Sequence, residues 1–221
     1  MDYLAHATEA FRSFLGAEVH NLVFVPFAGV TFNWDSYTSN VATFFDSLGY
    51  TVSSVHLTGN PIAAVQAADA VLVGGGNTFH LLRELYNTRL LAAIRNEVLK
   101  GKPYIGWSAG SNVACPTICT TNDMPIVQPP SFEALNLVPF QINPHYTDAH
   151  PQGHQGETRA MRLEEYTTAN PAAKVAALPE GTWLHVEDDR ISLHGELPLR
   201  YMRHAHPTTL HDPGSDVGFL L

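Results

Sequence analysis

The sequence contains little cysteine and few basic residues. Only two cysteines, Cys115 and Cys119, occur among 221 residues, which excludes a disulfide framework like those of small secreted proteins. Lysine and arginine total 12 against 21 aspartates and glutamates, so the formal net charge is −9. Nucleic acid and anionic membrane surfaces would both repel a chain of this charge, and we expect neither as a partner.

Long apolar runs are also missing. No stretch approaches the ~20 residues needed to span a bilayer, and the first residues lack the basic and apolar regions of a secretory signal peptide. We therefore expect a cytoplasmic protein with reduced thiols. Because 45% of the residues are hydrophobic, the chain can bury one sizeable core, and we predict a single domain over residues 1–221.

Short β-rich runs alternate with segments of helical periodicity, a pattern typical of a parallel sheet covered by helices on both faces. The predicted strands are residues 22–26, 51–57, 70–73, 102–107, 174–178, 182–186 and 190–193. The predicted helices are residues 36–48, 61–67, 79–85, 90–98 and 159–166. Residues 116–144 are irregular and too long for a plain connector, which favours a functional role.

A strand, a small-residue turn and a helix meet at Gly106-Trp107-Ser108-Ala109-Gly110. This G-x-S-x-G pattern is typical of a nucleophile elbow, in which a strained turn exposes a serine hydroxyl above the carboxyl edge of a sheet. The helix after it supplies unpaired backbone N–H groups suited to a developing oxyanion. The alternative is that Ser108 caps that helix. The strand and helix around it favour a nucleophile.

A nucleophilic serine needs a base and a group that orients the base. His145 follows the apolar run Phe140-Gln141-Ile142-Asn143-Pro144, where it would lie at another strand end on the same edge. Asp123 lies between Ser108 and His145, in the irregular segment. Taken singly, His145 could be a surface histidine in a proline-rich loop, and Asp123 could be a turn-forming residue.

Five motifs together resemble peptidase E, the α-aspartyl dipeptidase family. They are Val71-Leu72-Val73-Gly74-Gly75-Gly76-Asn77-Thr78-Phe79, Tyr104-Ile105-Gly106-Trp107-Ser108-Ala109-Gly110, Thr121-Asn122-Asp123-Met124-Pro125-Ile126-Val127, Gln141-Ile142-Asn143-Pro144-His145 and Gly156-Glu157-Thr158-Arg159. The resemblance implies an α/β fold, a three-layer sandwich with a mainly parallel sheet, similar to class I glutamine amidotransferases. It also implies a serine peptidase that cleaves dipeptides with an N-terminal aspartate and needs no cofactor.

The resemblance assigns roles to residues of this chain. Ser108 would be the nucleophile, His145 the general base and acid, and Asp123 the orienting carboxylate. Backbone N–H groups of Gly76 and Ala109 would form the oxyanion hole. For the substrate, we expect Arg159 to bind the side-chain carboxylate and Glu157 the amino group. The alternative is a helix-start carboxylate beside a solvent-exposed arginine.

The chain departs from the family pattern at both ends. Members open with an apolar strand before the first helix, whereas this sequence begins at Met1-Asp2-Tyr3-Leu4, already inside that helix, so one core strand is expected to be missing. The sequence after residue 197 follows no pattern of the family. These departures keep open a catalytically silent binding module, and within enzymes a cyanophycinase-like peptidase.

Other residues receive structural interpretations. His145, His150 and His154 have metal-like spacing, but Pro151 and Gly153 break the helix that would align them, so we expect no metal. Cys115 and Cys119 are predicted to be buried behind the helix that follows Ser108. The glycine run at 74–76 lacks the spacing of nucleotide-binding loops, so no nucleotide cofactor is implied.

Overall fold

The computed structural model describes residues 2–149, 153 and 155–221. Its strands are β1 (Asn21–Val25), β2 (Thr51–Ser54), β3 (Ala70–Val73), β4 (Tyr104–Gly106), β5 (Gln141–Pro144), β6 (Lys174–Leu178), β7 (Trp183–Glu187), β8 (Arg190–His194), β9 (Leu199–Arg203) and β10 (Thr209–His211). Its α-helices are α1 (Thr8–Leu15), α2 (Trp34–Asp46), α3 (Pro61–Ala67), α4 (Thr78–Asn87), α5 (Leu90–Leu99), α6 (Ala109–Ala114) and α7 (Arg159–Ala169). Short 3-10 helices cover Asp2–Ala7, Val55–Leu57 and Gly218–Leu220.

The first sheet is entirely parallel, with strand order β2-β1-β3-β4. Successive side chains of a strand point to opposite faces, so its apolar residues supply two cores. On one face Val23 and Val71 pack with apolar residues of α3 to α6. On the other face Leu22 and Phe24 pack with residues of α1 and α2. The predicted three-layer α/β sandwich is confirmed.

Two asparagines fix where the chain turns from strand to helix. The side-chain oxygen of Asn33 accepts hydrogen bonds from the N–H groups of Asp35 and Ser36 at the start of α2. Asn77 accepts one from the N–H of His80 at the start of α4, at 3.0 Å. Such caps each contribute about 1 kcal/mol to helix stability. They set the ends of the loops that follow β1 and β3.

A second four-stranded sheet has the order β10-β9-β6-β5, with β5 and β6 parallel and the other pairs antiparallel. Strands β7 and β8 form a separate antiparallel pair. The two larger sheets are not hydrogen-bonded to each other between β4 and β5. Side chains take the place of a neighbouring strand along β5: Ile142 O accepts from Asn112 Nδ2 and Thr120 Oγ1, both at 2.8 Å, and Ile142 N donates to Cys115 Sγ.

Several sequence-based predictions need correction. The strand predicted over residues 51–57 ends at Ser54 and gives way to a 3-10 helix. Val55 is fully buried there, so its apolar character did not mark the end of the strand. Strands β9 and β10 lie beyond residue 197, where no element was expected. Strand β9 pairs antiparallel with β6, and β10 pairs antiparallel with β9, so both depend on distant partners.

The two cysteines differ in exposure. Cys115 is buried, as predicted, and burial raises the pKa of its thiol to about 12. Cys119 is exposed, so the prediction of a second buried thiol is wrong. It lies between Ile118 and Thr120, whose side chains both turn inward. No helix in the described part of the chain is long and apolar enough to cross a membrane.

Candidate active site

The turn between β4 and α6 holds Ser108 in a strained conformation. Its φ is 54° and its ψ is −113°, in a region of positive φ that non-glycine residues seldom occupy. The neighbouring glycine is required by packing, because a Cβ at Gly110 would lie 2.2 Å from the carbonyl oxygen of Val73. Backbone strain of this kind persists where the surrounding structure enforces it. The strand, strained serine and helix are the arrangement predicted for a nucleophile elbow.

The loop after β3 runs beside this serine. A Cβ added at Gly75 would lie 3.3 Å from Ser108 Oγ, so the glycine allows the loop to approach the hydroxyl. Gly76 has a φ of 138° and lies so near Ala28 that only glycine fits. The loop backbone is thus held against the elbow.

The backbone N–H groups of Gly76, Ser108 and Ala109 have no acceptor among the described residues. Other N–H groups at this junction are paired, since Gly75 N donates to Tyr37 Oη at 2.9 Å, Asn77 N to Ala28 O at 2.8 Å and Gly110 N to Trp107 O at 2.9 Å. Ala109 is the first residue of α6, where an N–H has no partner within the helix. The two N–H groups assigned to the oxyanion hole are therefore available to a ligand.

His145 follows β5 directly, at the carboxyl edge where the sequence predicted it, with a φ of 56°. Its Nδ1 lies 2.5 Å from Oε1 of Glu180, which follows β6. Toward an ionised carboxylate, Nδ1 must be the donor, and this leaves Nε2 free to accept a proton. Ser108 Oγ has no hydrogen-bond partner among the described residues, so its bond to His145 is not formed in this conformation.

Asp123, predicted to be the orienting carboxylate, is hydrogen-bonded to two threonines in this structure. Its Oδ2 accepts hydrogen bonds from Thr78 N at 2.7 Å, Thr78 Oγ1 at 2.6 Å and Thr121 Oγ1 at 3.2 Å. Thr78 is the first residue of α4, where a carboxylate is favoured by the positive end of the helix dipole. In this structure Asp123 therefore orients the start of α4, and Glu180 contacts the imidazole instead.

Sequence reasoning missed Glu180, although a signal was present. Leu178-Pro179-Glu180 follows an apolar run that was itself predicted as a strand, as Pro144-His145 does. The carboxyl ends of adjacent parallel strands lie at one edge of a sheet, so residues just after β5 and β6 are neighbours. A search of all strand ends would have found this glutamate.

The backbone before His145 is held by a buried amide network. Asn122 Nδ2 donates to Pro144 O at 2.7 Å, and Asn143 Nδ2 donates to Asn122 Oδ1 and to Thr120 O, both at 2.8 Å. Asn143 is almost fully buried. These bonds connect the segment that carries Asp123 to the strand that carries His145.

The two residues predicted to bind substrate lie in different environments. Arg159 is the first residue of α7, and its Nη1 is buried without a hydrogen-bond partner among the described residues. Glu157 is exposed, and its Oε2 lies 3.7 Å from Nε of Arg162. Arg159 thus has an unpaired N–H donor that a carboxylate ligand could accept from. The carboxylate of Glu157 lies next to Arg162, not next to Arg159.

Two of the three histidines with metal-like spacing, His150 and His154, lie outside the described residues. In the part of the chain that the structure describes, no three His, Cys, Asp or Glu side chains are close enough to hold a metal ion.

Known proteins resemble this chain over most of its length. The model of peptidase family S51 matches residues 1–194. Proteins named peptidase E from Nostoc sp. and Shewanella oneidensis are each 48% identical over 220 residues; these cover 100% and 99% of this chain and 91% and 92% of those proteins.

Solved structures give the same picture. A putative peptidase E protein from Listeria monocytogenes superimposes with a TM-score of 0.68 at 25% identity, covering 87% of this chain and 94% of that one. A peptidase from an acI-B1 Actinobacterium shares the fold, with a TM-score of 0.72 at 17% identity, covering 97% of this chain and 92% of that one. The chain belongs to peptidase family S51.

Proposed function

We propose that this protein is a serine dipeptidase that hydrolyses Asp-Xaa dipeptides through an acyl-enzyme. The observation that carries the proposal is the strained Ser108 beside two unpaired N–H groups, those of Gly76 and Ala109. Backbone strain that exposes a serine hydroxyl beside unpaired N–H groups destabilises a turn that has no catalytic role. In acyl transfer, the same arrangement positions the nucleophile next to donors for the oxyanion. Each oxyanion donor of this kind contributes roughly 10²–10³-fold to kcat in serine hydrolases.

His145 acts as the general base and then as the general acid. Its Nε2 takes the proton of Ser108 as the hydroxyl attacks the peptide carbonyl, and the same proton passes to the leaving amine. The missing Ser108–His145 hydrogen bond is compatible with this role, since catalytic hydrogen bonds are often long without substrate and tighten in the complex.

Glu180 takes the role that the sequence assigned to Asp123. Its contact with Nδ1 holds the imidazole in the tautomer that can accept a proton at Nε2, and its charge stabilises the imidazolium that forms. Asp123 supports the site indirectly, by fixing the start of α4 next to the oxyanion loop.

Substrate selection depends on Arg159. Its buried, unpaired Nη1 supports binding of the aspartate side chain, because a guanidinium binds a carboxylate through parallel hydrogen bonds. The exposure of Glu157 and its proximity to Arg162 remove the support for its predicted contact with the substrate amino group. The free thiols suit a reducing compartment, and we place this activity in the cytoplasm.

A fluorophosphonate probe combined with a dipeptide panel tests the proposal. The wild-type protein should be labelled at Ser108 and should cleave Asp-Leu faster than Ala-Leu. Ser108→Ala should lose both properties, while Ser39→Ala, which changes an exposed serine of α2, should keep them. Labelling without cleavage of either dipeptide would instead support a cyanophycinase-like peptidase, and absence of labelling would support a binding module.

A further inference from the structure

Arg200 lies in β9, outside residues 1–194 that the family model matches. It is opposite Ala177 in the ladder between β9 and β6, and Met202 is opposite Val175. Met202, Val175 and Ala177 pack against Leu163 of α7, and Arg200 shares their face of the sheet because strand side chains alternate. Helix α7 begins with Arg159, so β9 and α7 bring two arginines to one side of the sheet.

Tyr146, which follows His145, is influenced by the charges of both arginines. The guanidinium of Arg200 lies 5.2 Å from the centre of the Tyr146 ring. Burial raises the pKa of the Tyr146 hydroxyl to about 12, and the charges of Arg200 and Arg159 both act against that rise. Both cations are therefore within electrostatic reach of one hydroxyl group next to the candidate base.

Arg200 has only part of its hydrogen-bonding capacity satisfied. Its Nη2 contacts Oδ2 of Asp148, whose other oxygen accepts a hydrogen bond from Tyr146 Oη at 2.9 Å. Its Nε is buried with no partner among the described residues, as is Nη1 of Arg159. An unpaired buried N–H is destabilising, so an anion that accepts from both groups gains more than it would at an exposed site.

We propose that Arg200 binds the side-chain carboxylate of the substrate's N-terminal aspartate together with Arg159. The inference rests on the proposed function and assigns substrate recognition to a residue beyond the family match. Asp148 holds the guanidinium of Arg200 over the Tyr146 ring, in the orientation that leaves Nε for the ligand. Two planar cations around one carboxylate select aspartate over its uncharged isostere asparagine.

The test compares Asp-Leu with Asn-Leu in the wild type, Arg200→Met and Arg203→Met. Arg203 lies on the same strand but is exposed, so its replacement controls for the loss of a positive charge. We expect Arg200→Met to lower kcat/KM for Asp-Leu by about 10- to 100-fold and to change that for Asn-Leu by less than 3-fold. Arg203→Met should leave the Asp-Leu to Asn-Leu ratio unchanged. Equal losses on both substrates, or an unchanged ratio in Arg200→Met, would overturn the proposal.

A binding measurement separates this proposal from the proposed reaction. If the wild type cleaves no dipeptide, the reaction is wrong, and titration calorimetry with L-aspartate then decides the role of Arg200. Binding to the wild type with at least 10-fold weaker binding to Arg200→Met supports it. Equal binding to both proteins, or no binding to the wild type, refutes it.

Discussion

Two carboxylates of the candidate site contact different kinds of donor. Asp123 accepts from two threonines and one backbone N–H, which fixes the first turn of α4. Glu180 accepts from the imidazole of His145 and is itself largely exposed. An ionised carboxylate only accepts hydrogen bonds, so each one fixes the orientation of the donor it contacts. Removing the charge of Glu180 should therefore affect kcat, whereas removing the charge of Asp123 should affect the melting temperature.

We expect Glu180→Gln to reduce kcat by about 10- to 100-fold, because the carboxylate that orients the imidazole of His145 is lost. Its melting temperature should stay close to that of the wild type, since the side chain is 78% exposed. Asp123→Asn should lower the melting temperature, because a charge at a helix N-terminus contributes about 0.3–1 kcal/mol. A larger loss of kcat in Asp123→Asn than in Glu180→Gln would restore the triad predicted from sequence.

At the scale of elements, Tyr37 of helix α2 joins the loop after β3 to the turn that holds Ser108. The hydroxyl of Tyr37 accepts from Gly75 N at 2.9 Å and from Trp107 Nε1 at 3.1 Å. Its ring packs edge-on against Phe24 at 5.0 Å, and Phe24 stacks on Trp107. The loop after β3 and the turn after β4 are therefore held together from the helical layer.

Tyr37→Phe keeps the ring and removes these bonds, leaving the Gly75 N–H without its acceptor. We expect a loss of about 1–3 kcal/mol in unfolding free energy and a fall of about 10-fold in kcat with little change in KM, because the loop positions the oxyanion donor. Urea denaturation and steady-state kinetics on Asp-Leu measure the two effects. Tyr86→Phe, which removes a hydroxyl bonded to Glu133 O away from the elbow, is the matched control. A normal kcat in Tyr37→Phe would contradict the positioning role.

Local patterns predicted the elements whose burial is regular. Strands β1, β3 and β6 are largely buried apolar runs, and each was predicted to within one residue at both ends. The partner of a polar side chain was harder to predict, because it depends on which strands become neighbours. This is why the contact between Glu180 and His145 was missed. Strand β9 was missed for the same reason, since only pairing with β6 makes its mixed sequence extended.

At the scale of the whole molecule, the two larger sheets are joined through side chains of α6. Asn112 is 1% exposed and donates from Nδ2 to Ile142 O on β5 at 2.8 Å, while α6 itself begins at the end of β4. Cys115, at the end of this helix, accepts from Ile142 N at 3.1 Å. These contacts fix the sheet that leads to Ser108 relative to the sheet that leads to His145.

Asn112→Ala should therefore lower both stability and activity. We expect a loss of about 1–3 kcal/mol in unfolding free energy, because the change removes a buried hydrogen bond and leaves Ile142 O with one fewer donor. The fall in kcat should exceed the effect on KM, since the spacing of Ser108 and His145 changes. Asn96→Ala, at an exposed position of α5, controls for helix propensity. Unchanged kcat in a folded Asn112→Ala protein would show that α6 does not set this spacing.

The division between β4 and β5 has a consequence for the proposed reaction. No ladder of backbone hydrogen bonds crosses from the strand before Ser108 to the strand before His145. In the proposed reaction, the peptide's carbonyl carbon meets Ser108 and its leaving nitrogen meets His145, so the scissile bond itself bridges the two sheets. In that reaction, the bound substrate would bring the Ser108 hydroxyl and the His145 imidazole together. The proposed reaction would therefore use groups from both sheets at once, at the one bond that is cut.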